Sequence, residues 1–244
     1  MVGSLEVVIA FVVCSVIGLP SYQKNVVDLS GLLSGYAVGM GILLFTDLRW
    51  FAIIFAFFFL SGAATKYKYE QKKKKGVAQG KKGARGYLNV FGNGLVALIF
   101  AMVEGMVGGE IFLVGFLAAV ASTSADTAGG EIGRLSKHRP RVITTLKKVP
   151  TGAEGAVSLL GEAAEFFIAF FIGILAFAMG LGDGYTVVIA SMAGFIGANI
   201  DSVLGATVET NAKWWGNNCT NFFSSLLGAL AGIGVYYLFF TALS

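Results

Sequence analysis

Eight apolar segments, near residues 5–19, 31–45, 50–64, 88–104, 110–125, 162–180, 185–205 and 221–243, divide this chain. Nothing in it constrains the fold more. A helix needs about 20 mostly apolar residues to cross the hydrocarbon core of a bilayer. Backbone in that core must satisfy its own hydrogen bonds, which a helix does. The chain has 244 residues, 56% of them hydrophobic and 13% charged, and its mean hydropathy is +0.76. Soluble domains carry roughly 25% charged residues, and a domain of this size has too little interior to hide so much apolar surface. The expected class is all-α: a polytopic membrane helix bundle of seven to eight transmembrane helices, one integral-membrane domain over residues 1–244. The first segment is the weakest of the eight and sets that range. Glycines spaced by four, as in Gly31, Gly35 and Gly39 or Gly228 and Gly232, let membrane helices approach closely, so a compact bundle is expected.

Basic charge falls in two blocks. Lys66, Lys68, Lys72, Lys73, Lys74, Lys75, Lys81, Lys82 and Arg85 share one loop; Arg134, Lys137, Arg139, Arg141, Lys147 and Lys148 share another. Positive loops stay cytoplasmic, and two segments separate the blocks, so both can lie inside. Loops 65–87, 126–161 and 206–220 are then cytoplasmic and both termini external. The run Lys72 to Lys75 reads as a topology signal or a contact with anionic lipid. With no interleaved aromatics and no recognisable module it does not read as a nucleic-acid site. Cys14 and Cys219 form neither a disulfide framework nor a zinc spacing, and the single His138 excludes a multi-His metal site. The start MVGSLEVV lacks the basic region and cleavage site of a signal peptide. These features suggest a prokaryotic plasma membrane.

Ionisable residues inside membrane segments are costly and point to function. The fifth segment ends in small residues around Asp126, then Glu131; such a run suits close approach by a phosphate or a metal-bound phosphate. Lys147 and Lys148 stand beside Thr151-Gly152 and Glu154-Gly155, a pattern able to hold phosphate and metal together. Glu162 and Glu165, at i and i+3, share a helix face and suggest a cation, most simply Mg²⁺. Asp201 lies inside the seventh segment. Asn89 with Asn93, and Asn217 with Asn221, each share a helix face. Lys66, Arg85, Asn93, Asp126, Glu131, Lys148, Glu154, Asp201, Glu209 and Asn218 all fall at the cytoplasmic ends of their segments. Independent caps would scatter over both faces, so one site is expected. Acids for metal and bases for phosphate suit phosphoryl or nucleotidyl transfer, although P-loop, protein-kinase and dinucleotide motifs are absent.

Certain blocks carry a family resemblance: Thr65-Lys66-Tyr67-Lys68, Gly83-Ala84-Arg85-Gly86 through Asn93-Gly94, Ser124-Ala125-Asp126-Thr127, Pro140-Arg141-Val142-Ile143-Thr144, Lys148-Val149-Pro150-Thr151-Gly152, Ile200-Asp201-Ser202-Val203-Leu204-Gly205-Ala206-Thr207 and Asn217-Asn218. In this order, over about residues 30–240, the chain resembles the membrane family that includes phytyl-phosphate kinase and the transmembrane protein 19 group. A fainter likeness links Asp126, Gly133, Lys147, Lys148, Glu154 and Gly155 to CTP-dependent lipid kinases such as dolichol kinase. Gly129 replaces an expected alanine there, and Val149-Pro150 separates Lys148 from Thr151.

The resemblance implies a kinase that converts a prenyl monophosphate, such as phytyl or geranylgeranyl phosphate, to its diphosphate, with CTP or another nucleoside triphosphate as donor and Mg²⁺ as cofactor. On that reading Asp126, Lys148, Asp201 and Glu162 are catalytic. Asp126, Glu131, Glu162 and Asp201 hold metal. Arg141, Lys147, Lys148, Thr151, Gly152, Glu154 and Asn218 bind the nucleotide. Lys66, Lys68, Arg85, Asn93 and Asn221 bind the acceptor phosphate. Membrane lipids surround the protein, no nucleic acid is a partner, and a homo-oligomer remains open. Two alternatives also remain open: a CTP-dependent cytidylyltransferase making a CDP-lipid, and a small-ion or metabolite transporter.

Overall fold

The computed structural model describes residues 3–78 and 85–243, with side chains as far as 239. Lys81, Lys82, Gly83 and Ala84 lie outside the described residues. The helices are α1 (Ser4–Gln23), α2 (Leu29–Phe45), α3 (Leu48–Lys66), α4 (Tyr69–Lys74), α5 (Tyr87–Val107), α6 (Glu110–Gly133), α7 (Leu159–Ala178), α8 (Gly184–Leu204) and α9 (Asn217–Leu243); all match expected segments except the short α4, which forms within the expected 65–87 loop. Among the described residues seven helices, α1 included, are long and apolar enough to cross a membrane, and α2 is a shorter apolar helix.

The centre of the bundle is α6, buried at every residue from Val114 to Ala125. Small side chains make this possible. A Cβ added to Gly197 of α8 or to Gly228 of α9 would lie 2.2 Å from Ser122 Oγ on α6. At Gly194 a Cβ would lie 2.6 Å from Ala169 of α7 and 2.8 Å from Ala121. The small-residue run before Asp126 therefore packs helices together instead of opening its backbone to a phosphate. Its hydroxyls are already satisfied: Ser122, Thr123 and Ser124 donate to the carbonyls of Ala118, Ala119 and Val120 at 2.7, 3.1 and 2.7 Å. A run small enough to expose its backbone is also small enough to admit three neighbouring helices, and the neighbours win.

At the periphery α1 leans on α2 and exposes Leu5, Phe11, Val12 and Val16. On a soluble monomer such a surface would be a liability; on this one it faces lipid. The ends of α1, α3, α6 and α8 and the starts of α2, α5, α7 and α9 share one face. Helix starts are capped by side chains that accept the orphan amides: Asp28 from Gly31 at 2.8 Å, and Ser158 from Gly161 at 3.2 Å. On the opposite face Arg49 is the only lysine or arginine among the described residues, paired with Asp47 and donating to Gly180 O at 3.2 Å. Between α6 and α7 the chain makes a small antiparallel hairpin, β1 (Arg141–Val142) with β2 (Ala156–Val157), Arg141 opposite Val157. Beyond Leu204 α8 widens into a π-turn over Gly205–Glu209, a form often found at functional sites.

Candidate active site

Two carboxylates meet where α6 and α8 end. Asp126 and Asp201 face each other within hydrogen-bonding reach. Asp201 Oδ2 accepts from Ser224 Oγ of α9 at 2.8 Å. The Asn221 carboxamide lies 3.1 Å from Asn93 of α5; turned to satisfy both its ends, it donates to Asn217 O at 3.0 Å and to Asp201 Oδ2 at 3.3 Å. Four helices thus converge on one acidic pair. Neither aspartate forms an ion pair with a lysine or arginine among the described residues. Beside them Glu165 of α7 is buried in a notch that Gly129 leaves on α6, where a Cβ would lie 2.3 Å from its Cγ. Asn199 of α8 donates to Glu162 at 3.2 Å and to Glu165 at 3.4 Å.

A cationic cluster borders the pair. Lys72 of α4 is completely buried. Its ammonium donates to the terminal carbonyls of α3, Ala64 O at 3.0 Å and Thr65 O at 2.8 Å, and to the carboxylate of Glu131. The other oxygen of Glu131 accepts from Arg134 at 2.6 Å. Arg85 stands nearby, pinned by backbone bonds from its N–H to Val26 O (3.0 Å) and from Asp28 N–H to its own carbonyl (3.2 Å). That junction requires Gly31, because a Cβ there would lie 2.0 Å from Arg85 O. Burial pulls the Arg85 guanidinium below its usual pKa, and the Glu131 charge opposes the shift.

The hairpin closes the site from outside. Gly155 has φ +65, and a Cβ on it would lie 2.5 Å from Ser202 O and 2.4 Å from Ala206 Cβ. Only glycine allows this turn to seat against the end of α8. Seating carries Glu154 into the site wall. Desolvation raises its carboxyl above the ordinary glutamate value; facing Glu209 adds to the rise and Arg134 opposes it.

The aspartate pair, Arg85, Glu131, Arg134 and the hairpin's Glu154 border one cavity of about 330 Å³. Its mouth is polar, with Arg85, Asn93, Asp126, Arg134, Glu154 and Asp201 in the wall. It continues into an apolar arm between α1, α2 and α3, past Cys14, Gly35, Tyr36, Ile54 and Phe55.

The family whose description is "integral membrane protein DUF92" matches residues 12–229. The chain belongs to that family. It is similar to an uncharacterized membrane protein of Synechocystis (32% identity over 206 residues, 82% of this chain and 80% of the relative). It is also similar to one of Methanocaldococcus jannaschii (27% over 232 residues, 95% of each chain). A third relative is Protein VTE6, chloroplastic, of Arabidopsis thaliana (30% over 190 residues, 75% of this chain and 57% of the relative). No solved structure matches the chain.

The geometry sorts the residues singled out in the sequence of this family member. Asp126, Asp201, Arg85, Asn93, Asn221 and Glu154 come together around the cavity. Glu131 borders it too, but Lys72 and Arg134 occupy its oxygens, which removes it from the metal-holding set. Glu162 stays outside the cavity wall, on Asn199. Asp126 and Asp201 remain the pair able to hold a cation. No cluster of three or more His, Cys, Asp or Glu side chains suited to a metal forms among the described residues. Arg141, Lys147 and Lys148 are exposed on the hairpin, and the Arg141 guanidinium donates to Leu146 O at 2.7 Å. Thr151 lines a separate open cleft with Lys75 and Lys137, and Gly152 is a turn residue at φ +90. Lys66 and Lys68 are exposed, Lys68 lying over the Tyr67 ring. Asn218 packs its backbone against Gly92, so Asn217 lines the cavity in its place. Four residues around the site escaped the sequence reading: Lys72, hidden in a run of like charges; Arg134, read as loop charge; Asn199, one of several amides; and Ser224, an ordinary serine of an apolar helix. Only the i, i+3 spacing of Glu131 and Arg134 carried any signal.

Proposed function

We propose that this protein is a membrane prenyl-phosphate kinase, transferring the γ-phosphoryl group of CTP or another nucleoside triphosphate to a prenyl monophosphate such as phytyl or geranylgeranyl phosphate. The observation that carries the reading is the two-part cavity, whose polar mouth holds acids and guanidinium groups and whose arm is apolar. A phosphorylated lipid has the same division. Membership of a membrane family and the motif resemblance to phytyl-phosphate kinase support the same reaction.

A phosphate oxygen of the acceptor attacks the γ-phosphorus of the donor; the bond from that phosphorus to the β–γ bridging oxygen breaks, and the nucleoside diphosphate leaves with its electron pair. The acceptor is already an anion and needs no strong base. Catalysis is then positioning and charge neutralisation. Arg85 and Arg134 draw the phosphates to the mouth. Asn93 and Asn221 fix the carboxylate pair and offer amide dipoles. The exposed Arg141, Lys147 and Lys148 stand where a soluble nucleotide arrives, and the basic face is the cytoplasmic one. Asp126 and Asp201, facing each other with no ion-paired lysine or arginine among the described residues, fit a Mg²⁺ carried on nucleotide phosphates, since Mg²⁺ commonly binds through one or two carboxylates plus phosphate. When bound it would neutralise charge on the transferring group.

The test uses purified protein in detergent with Mg²⁺, geranylgeranyl monophosphate and each of the four common nucleoside triphosphates, read by mass spectrometry. Geranylgeranyl diphosphate with release of nucleoside diphosphate is the expected outcome. Pyrophosphate with a nucleotidylated lipid would instead identify a cytidylyltransferase. Neither product, from folded protein, would refute the enzyme reading.

A further inference from the structure

On α2, Gly31, Gly35 and Gly39 form one stripe of equal spacing, yet packing explains only two of them. At Gly31 a Cβ would lie 2.0 Å from Arg85 O, and at Gly39 it would lie 3.2 Å from the Phe51 ring and 3.4 Å from Cys14 Sγ. At Gly35 it would meet nothing within 4 Å. Gly35 lines the apolar arm, so its missing side chain leaves room in the cavity and serves no helix contact.

A second observation points to an occupant. Ser61 of α3 is 5% exposed and also lines the cavity. Its hydroxyl has no hydrogen-bond partner among the described residues. Other serines on neighbouring helices, Ser15, Ser21 and Ser34, donate to carbonyls of their own helix. A buried hydroxyl left unpaired is unfavourable, and the oxygen of an amphipathic ligand in the cavity would satisfy it.

We infer that the arm between α1, α2 and α3 holds the single hydrocarbon chain of the acceptor lipid, and that residue 35 limits the chain accepted. The arm opens from the polar mouth, so a chain lying in it has its phosphate beside Arg85 and Asp126. Tyr36, Ile54 and Phe55 give it an apolar and aromatic wall, the lining expected for an apolar ligand. The identity of the lipid as acceptor rests on the kinase reading; its place in the arm does not.

Cys14 lines the arm and reports on it without turnover. In a Cys219→Ser background Cys14 is the sole thiol, and its reaction with N-ethylmaleimide is followed by mass spectrometry. Geranylgeranyl monophosphate should slow labelling at least about tenfold, the signature of an occupied site. Dimethylallyl monophosphate, whose chain is a single prenyl unit, and inorganic phosphate, which has none, should not. Gly35→Ala, Gly35→Leu and Gly35→Phe should weaken that protection in order of size. In turnover they should raise KM for the geranylgeranyl ester relative to the dimethylallyl ester. Ala has room at this position, so the series does not depend on a variant that fails to fold. Labelling that ignores the geranylgeranyl ester, or protection indifferent to residue 35, overturns the inference. Diphosphate formation without protection would leave the kinase standing and refute the arm. Protection without diphosphate would keep the arm and refute the kinase.

Discussion

Lys72 is one of four consecutive lysines, and the structure separates it sharply from the others. Its side chain is 0% exposed and Glu131 is 2% exposed, whereas Lys73 and Lys74 are exposed. Lys72→Met removes an ion pair and two hydrogen bonds to the last carbonyls of α3. Breaking a buried pair from one side costs about 3–5 kcal/mol. Arg134 stays on Glu131 at 2.6 Å, so the charge keeps one partner, which places the cost near the low end, about 3 kcal/mol. A chain of this size loses about 2–4 °C of Tm per kcal/mol, giving a drop of ~6–12 °C. The assay is thermal unfolding in detergent, with Lys73→Met and Lys74→Met as controls; surface changes of that kind cost within about 0.5 kcal/mol. Lys72→Met/Glu131→Leu should recover part of the loss, since it removes the buried carboxylate that had lost its ammonium and leaves only Arg134, which is 24% exposed and reaches water. If Lys72→Met melts with Lys73→Met, Lys72 is not buried and the docking of α4 is wrong.

Asp126→Asn and Asp201→Asn should each lower geranylgeranyl diphosphate formation at least about 100-fold without lowering Tm, because each relieves one of two facing acids; normal turnover in either folded variant would remove that residue from the site. Gly155→Ala should detach the hairpin from α8, seen as faster proteolysis within residues 139–158 and a raised nucleotide KM; unchanged proteolysis would show that the turn tolerates a Cβ. Glu154 holds its proton in the fold at pH values where the unfolded chain has released it, so its contribution to stability falls as pH rises from the usual glutamate range to its raised folded value. Glu154→Gln should therefore raise Tm more at pH 8 than at pH 4, and an equal change at both would refute the shift.

The sequence by itself determined the bundle. Segment length and apolarity are local quantities, and a bilayer leaves helix as the single solution for such segments. It determined the polarity of the site as well. Helix parity and confinement of lysine and arginine to alternate loops put Asp126, Asp201, Arg85 and Asn93 at one face before any packing was known. Tertiary structure decided which of the residues on that face meet. Four lysines in a row carry one signal in sequence, and burial under α3 picks out Lys72. Glu131 and Asp126 lie five residues apart on one helix, yet Lys72 and Arg134 neutralise the first while the second faces Asp201. Three equally spaced glycines read as one packing stripe, but Gly35 borders a void because the helix that would fill it lies elsewhere. Such choices depend on which side chains distant segments deliver to a given spot, and neither periodicity nor residue type encodes that.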